Sequence, residues 1–365
     1  MKNEAIKNLL NEFKKLSASD RDTFLNFVVS HSTPSDEKFL VGTKWADGIV
    51  CPHCGASGKG VTKNGKTSTG RQRYICQHCH KRFTVTTGSV MYYSKKPLEV
   101  WKEFVSCFLH GYTVRETAEA IKINKNTAFL WRHKLCDSLA GIMENVKFGD
   151  IVEADETYFR VSYKGKRSDM PRRARKRGSS MYYRDMKRGL STNQVCVPCA
   201  VNRGGLSVSK IAEVGMGTFN GISAVIGSHL TNGSTICTDG AYVYGHLASA
   251  YGLQKVRVNA YETRKGVYSI QHVNAYHSGL KDFIRDFKGV STKHLNNYLL
   301  WFNFASYAKE TYSEKARLLT KHLCCASSFT RRVDVPDRPA IPYINDKARR
   351  IPYDEELKLW MEQCG

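Results

Sequence analysis

Two aspartates stand where the sequence otherwise reads as strand. In Ile151-Val-Glu-Ala-Asp-Glu-Thr-Tyr-Phe-Arg160 the residues Ile151, Val152, Ala154, Tyr158 and Phe159 suit a sheet, whereas aspartate is disfavoured in strands and is almost never buried without a partner or a metal. Ser234-Thr-Ile-Cys-Thr238 runs into Asp239 and then Gly240 in the same way. Two carboxylates brought together repel, and a divalent cation between them turns that repulsion into a binding site. Taken singly, the bland readings stand beside this one: Asp155 capping a turn, and Asp239-Gly240 as an ordinary turn dipeptide. Glu156, the next residue along from Asp155, should face the other side of the sheet and serve structure.

The cysteines give a second chemistry. Cys51-Pro-His-Cys54 and Cys76-Gln-His-Cys79 are two Cys-x-x-Cys knuckles with 21 residues between Cys54 and Cys76, a spacing close to that of a zinc ribbon. Four thiolates complete a closed tetrahedron with no open position, so the Zn²⁺ expected here is structural. Between the knuckles lie Lys59, Lys63, Lys66, Arg71, Arg73 and Tyr74, a basic hairpin suited to phosphates, with Arg71 and Arg73 taken as nucleic-acid contacts. Cys196-Val-Pro-Cys199 has the same spacing but sits in a strand, and reads as buried thiols.

The elements that must position these groups can be read in order. Residues 1–35 suggest a small helical element and 36–92 the ribbon. After Pro97, Leu98, Trp101, Phe104, Val105 and Phe108 recur at helical spacing until Gly111. Thr113 caps a helix to Ile121, a short connection passes Asn124, and a second helix from Thr127 to Leu135 carries Arg132, His133 and Lys134. Residues 93–145 are thus expected as a helix-turn-helix domain with Arg132 and Lys134 facing the major groove, a plain helical hairpin being the alternative. From 146 to 312 comes the domain of the aspartates. The strand of Asp155 is followed by a basic insertion, 164–188, with eleven basic residues against Asp169 and Asp185; Arg172, Arg173, Arg175, Lys176 and Arg177 make it an arm for a polyanion. Strands at Gln194 to Asn202 and Ser207 to Val214, a helix from Ile222, the Asp239 strand, a strand at Lys255 to Val258 and a helix from about Val273 to Phe287 complete the order. This is the order of an RNase H-like α/β fold, in which the first and fourth strands bring Asp155 beside Asp239. A third oxygen ligand would come from the last helix, where Asn274 falls and Lys281 lies two turns further along the same face. Residues 313–365 read as a C-terminal tail, with Pro336 to Pro342 as a linker and Cys324-Cys325 as packing.

Composition bounds the function class. The 365 residues carry 56 Lys+Arg against 33 Asp+Glu, a net charge of +23, which suits a polyanionic partner. Twelve cysteines without a signal peptide point to metal and buried thiols in a cytoplasmic chain. No apolar run reaches the roughly 18 residues of a membrane span.

In this order of parts the chain resembles the bacterial insertion-sequence transposases with an N-terminal zinc ribbon and an ISXO-like integrase domain, from about Trp45 to about Tyr307. The resemblance is carried by Trp45-Ala-Asp-Gly-Ile-Val-Cys-Pro-His-Cys-Gly55, the Asp-Glu-Thr strand, Thr238-Asp-Gly240, His272-Val-Asn-Ala-Tyr-His-Ser-Gly-Leu-Lys281, and Gly289-Val-Ser-Thr-Lys-His-Leu295 with Asn297-Tyr-Leu299. It implies a catalytic set of Asp155, Asp239 and Asn274 with Lys281 beside them, holding two Mg²⁺ or Mn²⁺ ions. The implied reaction cleaves the ends of the element and joins the 3′-hydroxyl to target DNA. It implies double-stranded DNA as partner, in terminal inverted repeats and target, and a homo-oligomer that pairs two ends. The chain departs from the common pattern in having Asn where Glu is usual, which leaves one metal position less charged. Two other readings explain part of the pattern: a zinc-ribbon DNA-binding regulator without catalysis, and a structure-specific nuclease on the same fold.

Overall fold

The computed structural model describes residues 36–165, 194–259, 264–326 and 330–342, with a few isolated positions between 12 and 21. The Arg172, Arg173, Arg175, Lys176 and Arg177 cluster lies outside the described residues, as does most of the N-terminal element. The chain divides into two compact units, residues 1–99 and 100–365.

In the first unit a helix, α1 (Asp36–Lys44), precedes a three-stranded antiparallel sheet of β1 (Val61–Lys66), β2 (Gln72–Cys76) and β3 (Arg82–Thr84) in the order β1-β2-β3. A sheet this small buries little, and an aromatic cluster supplies its core. Trp45 meets the edges of Tyr74 and Phe83 at 5.5 and 5.9 Å, and Tyr74 stacks on Phe83 at 5.7 Å. The Lys44 ammonium donates to the carbonyls of Val85 and Thr87, which ties the helix to the chain leaving the sheet.

Helix α2 (Leu98–Leu109) begins at the end of the first unit and runs into the second, followed there by α3 (Val114–Ala120) and α4 (Lys125–Met143). The apolar stripe expected on α2 is buried at Leu98, Trp101, Phe104, Val105 and Phe108. Thr113 and Glu116 form a reciprocal capping box at the start of α3, which satisfies two N–H groups that the helix itself cannot. Helix α4 runs eight residues beyond the expected end at Leu135, and its middle, Trp131 to Cys136, is buried. It packs against α8 (Thr292–Trp301).

The mixed sheet follows. Its strands β4 (Ile151–Arg160), β5 (Gln194–Asn202), β6 (Ser207–Ser209), β8 (Thr235–Thr238) and β9 (Gln254–Arg257) lie in the order β6-β5-β4-β8-β9, and the short β7 (Glu213–Val214) also pairs with β5. The β4-β5 and β5-β6 pairs are antiparallel, and β8 and β9 run parallel to β4. Helices α5 (Phe219–Ile226) and α6 (Val243–Ala250) pack against one face. There Phe148, Val152, Ala154, Ile222, Ile226, Ile236, Tyr244 and Leu247 form a continuous core. Helix α7 (Gln271–Asp286) covers the other face, touching β4 and β5. Cys196 and Cys199 are fully buried in β5, as expected of packing thiols.

Helix α9 (Tyr312–Cys325) starts from a second capping box, Thr311 with Glu314. Of the vicinal cysteines at its end, Cys324 is buried and Cys325 exposed, so only the first packs. The stretch expected as a linker is docked: Arg338 pairs with Asp137 of α4 at 2.6 Å and donates to the Asn297 side chain of α8 at 3.1 Å. Among the described residues no helix is long and apolar enough to cross a membrane.

Candidate active site and zinc ribbon

The ribbon cysteines converge. Their sulfur atoms all lie within 4.8 Å of one another, with Cys51 to Cys79 at 3.7 Å and Cys54 to Cys76 at 3.5 Å. Zn–S bonds of about 2.3 Å in a tetrahedron put sulfurs roughly 3.8 Å apart, so the four fit a structural Zn²⁺. The basic residues between the knuckles differ from one another. Arg71 spends its guanidinium on the Ser94 and Lys96 carbonyls, and Arg73 donates to the Asn64 carbonyl. Both are half-buried and brace the ribbon, while Lys59, Lys63 and Lys66 are exposed.

In the second unit the strand register does what the sequence required. Parallel pairing sets Ile151 against Thr235, Val152 against Ile236 and Glu153 against Cys237. Continued two residues, it carries Asp155 level with Asp239, just past the end of β8. Asp155 is one-quarter exposed and Asp239 exposed, at the carboxyl edge of a parallel strand pair, where open α/β sheets bind ligands. Gly240 has φ +106°, and a Cβ there would run into the Arg257 side chain. The turn after Asp239 thus needs glycine for its conformation.

Burial, then the charge of Asp239, pushes the Asp155 carboxyl up to about 6, against the opposing pull of a backbone N–H and of Lys281. Lys281 stands two turns beyond Asn274 on α7. His277, one turn before Lys281, places Nδ1 3.8 Å from Asp155 Oδ2. Burial holds its ring down to about 4, with Lys281 adding to the effect, so it is neutral near pH 7, and its Nε2 is buried without a hydrogen-bond partner. Asn274 lies one turn before His277 and is exposed. Among the described residues the aspartates belong to no group of three or more His, Cys, Asp or Glu whose ligand atoms all lie within 4.8 Å of one another. Glu156 faces the opposite side of the sheet, as expected from strand alternation; burial and the charge of Asp155 raise it to about 7.

Two residues behave differently from expectation. Arg132 is 2% exposed: its guanidinium sits 4.5 Å from the Trp301 ring and donates to the Tyr112 carbonyl at 2.6 Å and the Tyr298 hydroxyl at 3.3 Å. Lys134 is 7% exposed, and burial lowers its pKa. Neither presents its charge to a groove in this fold, because α4 is a core helix along its middle. The first residues of α4, Lys125 and Asn126, are exposed, as is Lys122 just before it.

Glu153 went unremarked in the sequence although the signal was there: a carboxylate between Val152 and Ala154 in a strand is as improbable as Asp155. It is 1% exposed and accepts from the Ser269 hydroxyl, the backbone N–H groups of His272 and Val273, and His272 Nδ1.

The parallel β4-β8 pair thus sets two aspartates level at the carboxyl edge of the sheet, with His277 of α7 beside Asp155. Residues 147–306 match the family described as the ISXO2-like transposase domain, and residues 34–82 match the transposase zinc-ribbon domain. The chain thus carries matches to two transposase domains, one in each unit. It is similar to an uncharacterized protein in transposable element ISH50 of Halobacterium salinarum, at 28% identity over 150 residues, 40% of this chain and 49% of that protein. The chain thus spans about half the length of that relative.

Proposed function

We propose that the chain is a DNA transposase that cleaves the ends of its element and joins the freed 3′-hydroxyl to target DNA. The observation that carries this reading is the β4-β8 register, which brings Asp155 level with Asp239. The sheet order supports an RNase H-like domain: third, second, first, fourth and fifth strand, with the fourth and fifth parallel to the first. Asp155 and Asp239 are hard oxygen donors suited to Mg²⁺ or Mn²⁺. Asp155, Asp239 and the Asn274 amide oxygen would hold the metal. Bound, it supplies an activated water or 3′-hydroxyl and stabilises the leaving oxygen. The chain's own groups do the rest. Lys281 offers a cation for the scissile phosphate, and neutral His277 flanks Asp155 without competing for its charge. The +23 excess and the exposed lysines of the ribbon and of the α4 start hold double-stranded DNA, and two copies are needed to pair two ends.

Asn274 separates this reading from a non-catalytic regulator. Asn274→Ala should abolish cleavage of a terminal-repeat duplex while folding, zinc content and DNA binding remain. Asn274→Asp should stay active and respond at lower metal concentration, since a carboxylate binds Mg²⁺ more strongly than an amide. Wild-type rates for Asn274→Ala across a Mg²⁺ and Mn²⁺ series would move the third ligand elsewhere. Absence of cleavage and joining by the parent protein would favour the regulator.

A further inference from the structure

Helix α7 begins without a cap of its own. Its N-cap position is Ile270, whose side chain accepts no hydrogen bond, although the first N–H groups of any helix need acceptors from outside it. The acceptor comes from another element. Glu153 of β4 takes the His272 N–H at 2.8 Å and the Val273 N–H at 3.2 Å, the second and third positions of the helix. Its other oxygen takes the Ser269 hydroxyl at 3.0 Å and lies 2.7 Å from His272 Nδ1. A carboxylate this deeply buried persists only when its lone pairs are filled, and here four contacts fill them.

The placement matters because of what lies on either side. Asp155 is two residues from Glu153 on the same face of the same strand, about 7 Å away. Asn274 directly follows the second capped N–H, and His277 and Lys281 continue along the helix. The strand that bears Asp155 and the helix that bears Asn274 and Lys281 are therefore joined at one buried point. The helix can neither slide nor rotate against β4 without breaking those bonds. The Tyr276 hydroxyl, in contact with Ser209 at 2.6 Å and Asn303 at 2.5 Å, steadies the helix further along.

We propose that Glu153 is a positioning residue: by capping α7 from the neighbouring strand it sets where Asn274 and Lys281 stand relative to Asp155. This rests on the reading of Asp155 and Asn274 as metal-holding residues. A cap that served stability alone would leave the metal affinity of the folded protein unchanged when removed, which gives the test. In zinc-loaded full-length protein, Glu153→Gln should speed amide exchange at His272 and Val273 about 10-fold or more, with exchange in β8 and α4 unchanged. Mn²⁺ affinity, followed by electron paramagnetic resonance, should fall about 10-fold. The Mg²⁺ needed for half-maximal cleavage should rise in the same proportion, with the rate at saturating metal largely recovered. His272→Ala removes only the half-exposed arm, keeps the fold, and should weaken Mn²⁺ about threefold. Unchanged Mn²⁺ affinity in both variants overturns the proposal, even if exchange at His272 and Val273 is faster. Asp155→Asn is the control: if it leaves wild-type Mn²⁺ affinity untouched, the metal reading of the site has failed, an outcome distinct from failure of the clamp.

Discussion

Arg132 is the residue at which a DNA-contact role and a structural role predict opposite results. Its guanidinium is enclosed, with the Trp301 ring 4.5 Å away and the Phe287 and Tyr298 rings at 5.6 and 5.9 Å. Its hydrogen bonds end on the Tyr112 carbonyl and the Tyr298 hydroxyl. Hydrogen bonds from a charged donor contribute about 1.5–3 kcal/mol each, and a desolvated cation on an aromatic face about 2 kcal/mol. Arg132→Ala removes both, leaves the Tyr112 carbonyl short of a partner and opens a space beside Trp301. Because such terms are not additive, the expected loss is about 3–5 kcal/mol, a fall in Tm on the order of 10 °C for a unit of this size. Arg132→Lys should recover only part of it, since an ammonium has neither the fork nor the flat face. The assay is thermal and urea unfolding of the zinc-loaded chain, followed by tryptophan fluorescence because Trp131 and Trp301 lie in the affected core. DNA binding is measured alongside, over a salt series well below the lowered Tm. The salt slope should be unchanged. An unchanged Tm together with a slope reduced by about 0.9, the signature of one lost phosphate contact, would refute the argument.

Cys51→Ser should release the zinc and weaken specific DNA binding while the unit of residues 100–365 stays folded; metal analysis and circular dichroism decide it, and full zinc retention would count against the four-thiolate site. Neutralising Arg172, Arg173, Arg175, Lys176 and Arg177 together should weaken binding to all sequences and lower the salt slope by up to about 4.5, whereas an unaltered slope would remove that run from the DNA. Buried His294 should make the protein acid-labile. Burial first, then Arg338 and Lys293, depress its pKa from 6.5 to about 3, so the unfolded chain binds the proton first. The contribution of the neutral ring is intact above about pH 6.5 and is lost by about 1.4 kcal/mol per pH unit as pH falls towards 3. His294→Phe should flatten that part of the stability profile; an equally steep decline in the variant would clear His294 of the effect.

Several features were legible because their cause is local. The two Cys-x-x-Cys knuckles needed only spacing, and the Thr113 cap, the α2 stripe and the strands of Asp155 and Asp239 needed only short-range pattern. The order of strands and helices, read along the chain, already implied which aspartates would be neighbours. Other features depended on what lay across space. Arg132 and Lys134 look in sequence like any basic helix face, and only the packing of α4 against α8 shows that they are enclosed. The Pro336 to Pro342 stretch has a linker's composition, yet Arg338 finds Asp137 and Asn297 and ties it down.

The sequence by itself determined the donor types: four thiolates at ribbon spacing, two strand-borne carboxylates, and an amide and an ammonium two turns apart on one helix. Tertiary structure decided their arrangement. Strand register is a relation between segments distant in the chain, and it set Asp155 level with Asp239. It also gave Glu153 its place at the head of α7, because that helix starts at Ile270 with no local acceptor and β4 is the strand beside it. Charge and spacing specify what a side chain can bind; burial and partners, which arise only when distant segments meet, specify which of those possibilities it keeps.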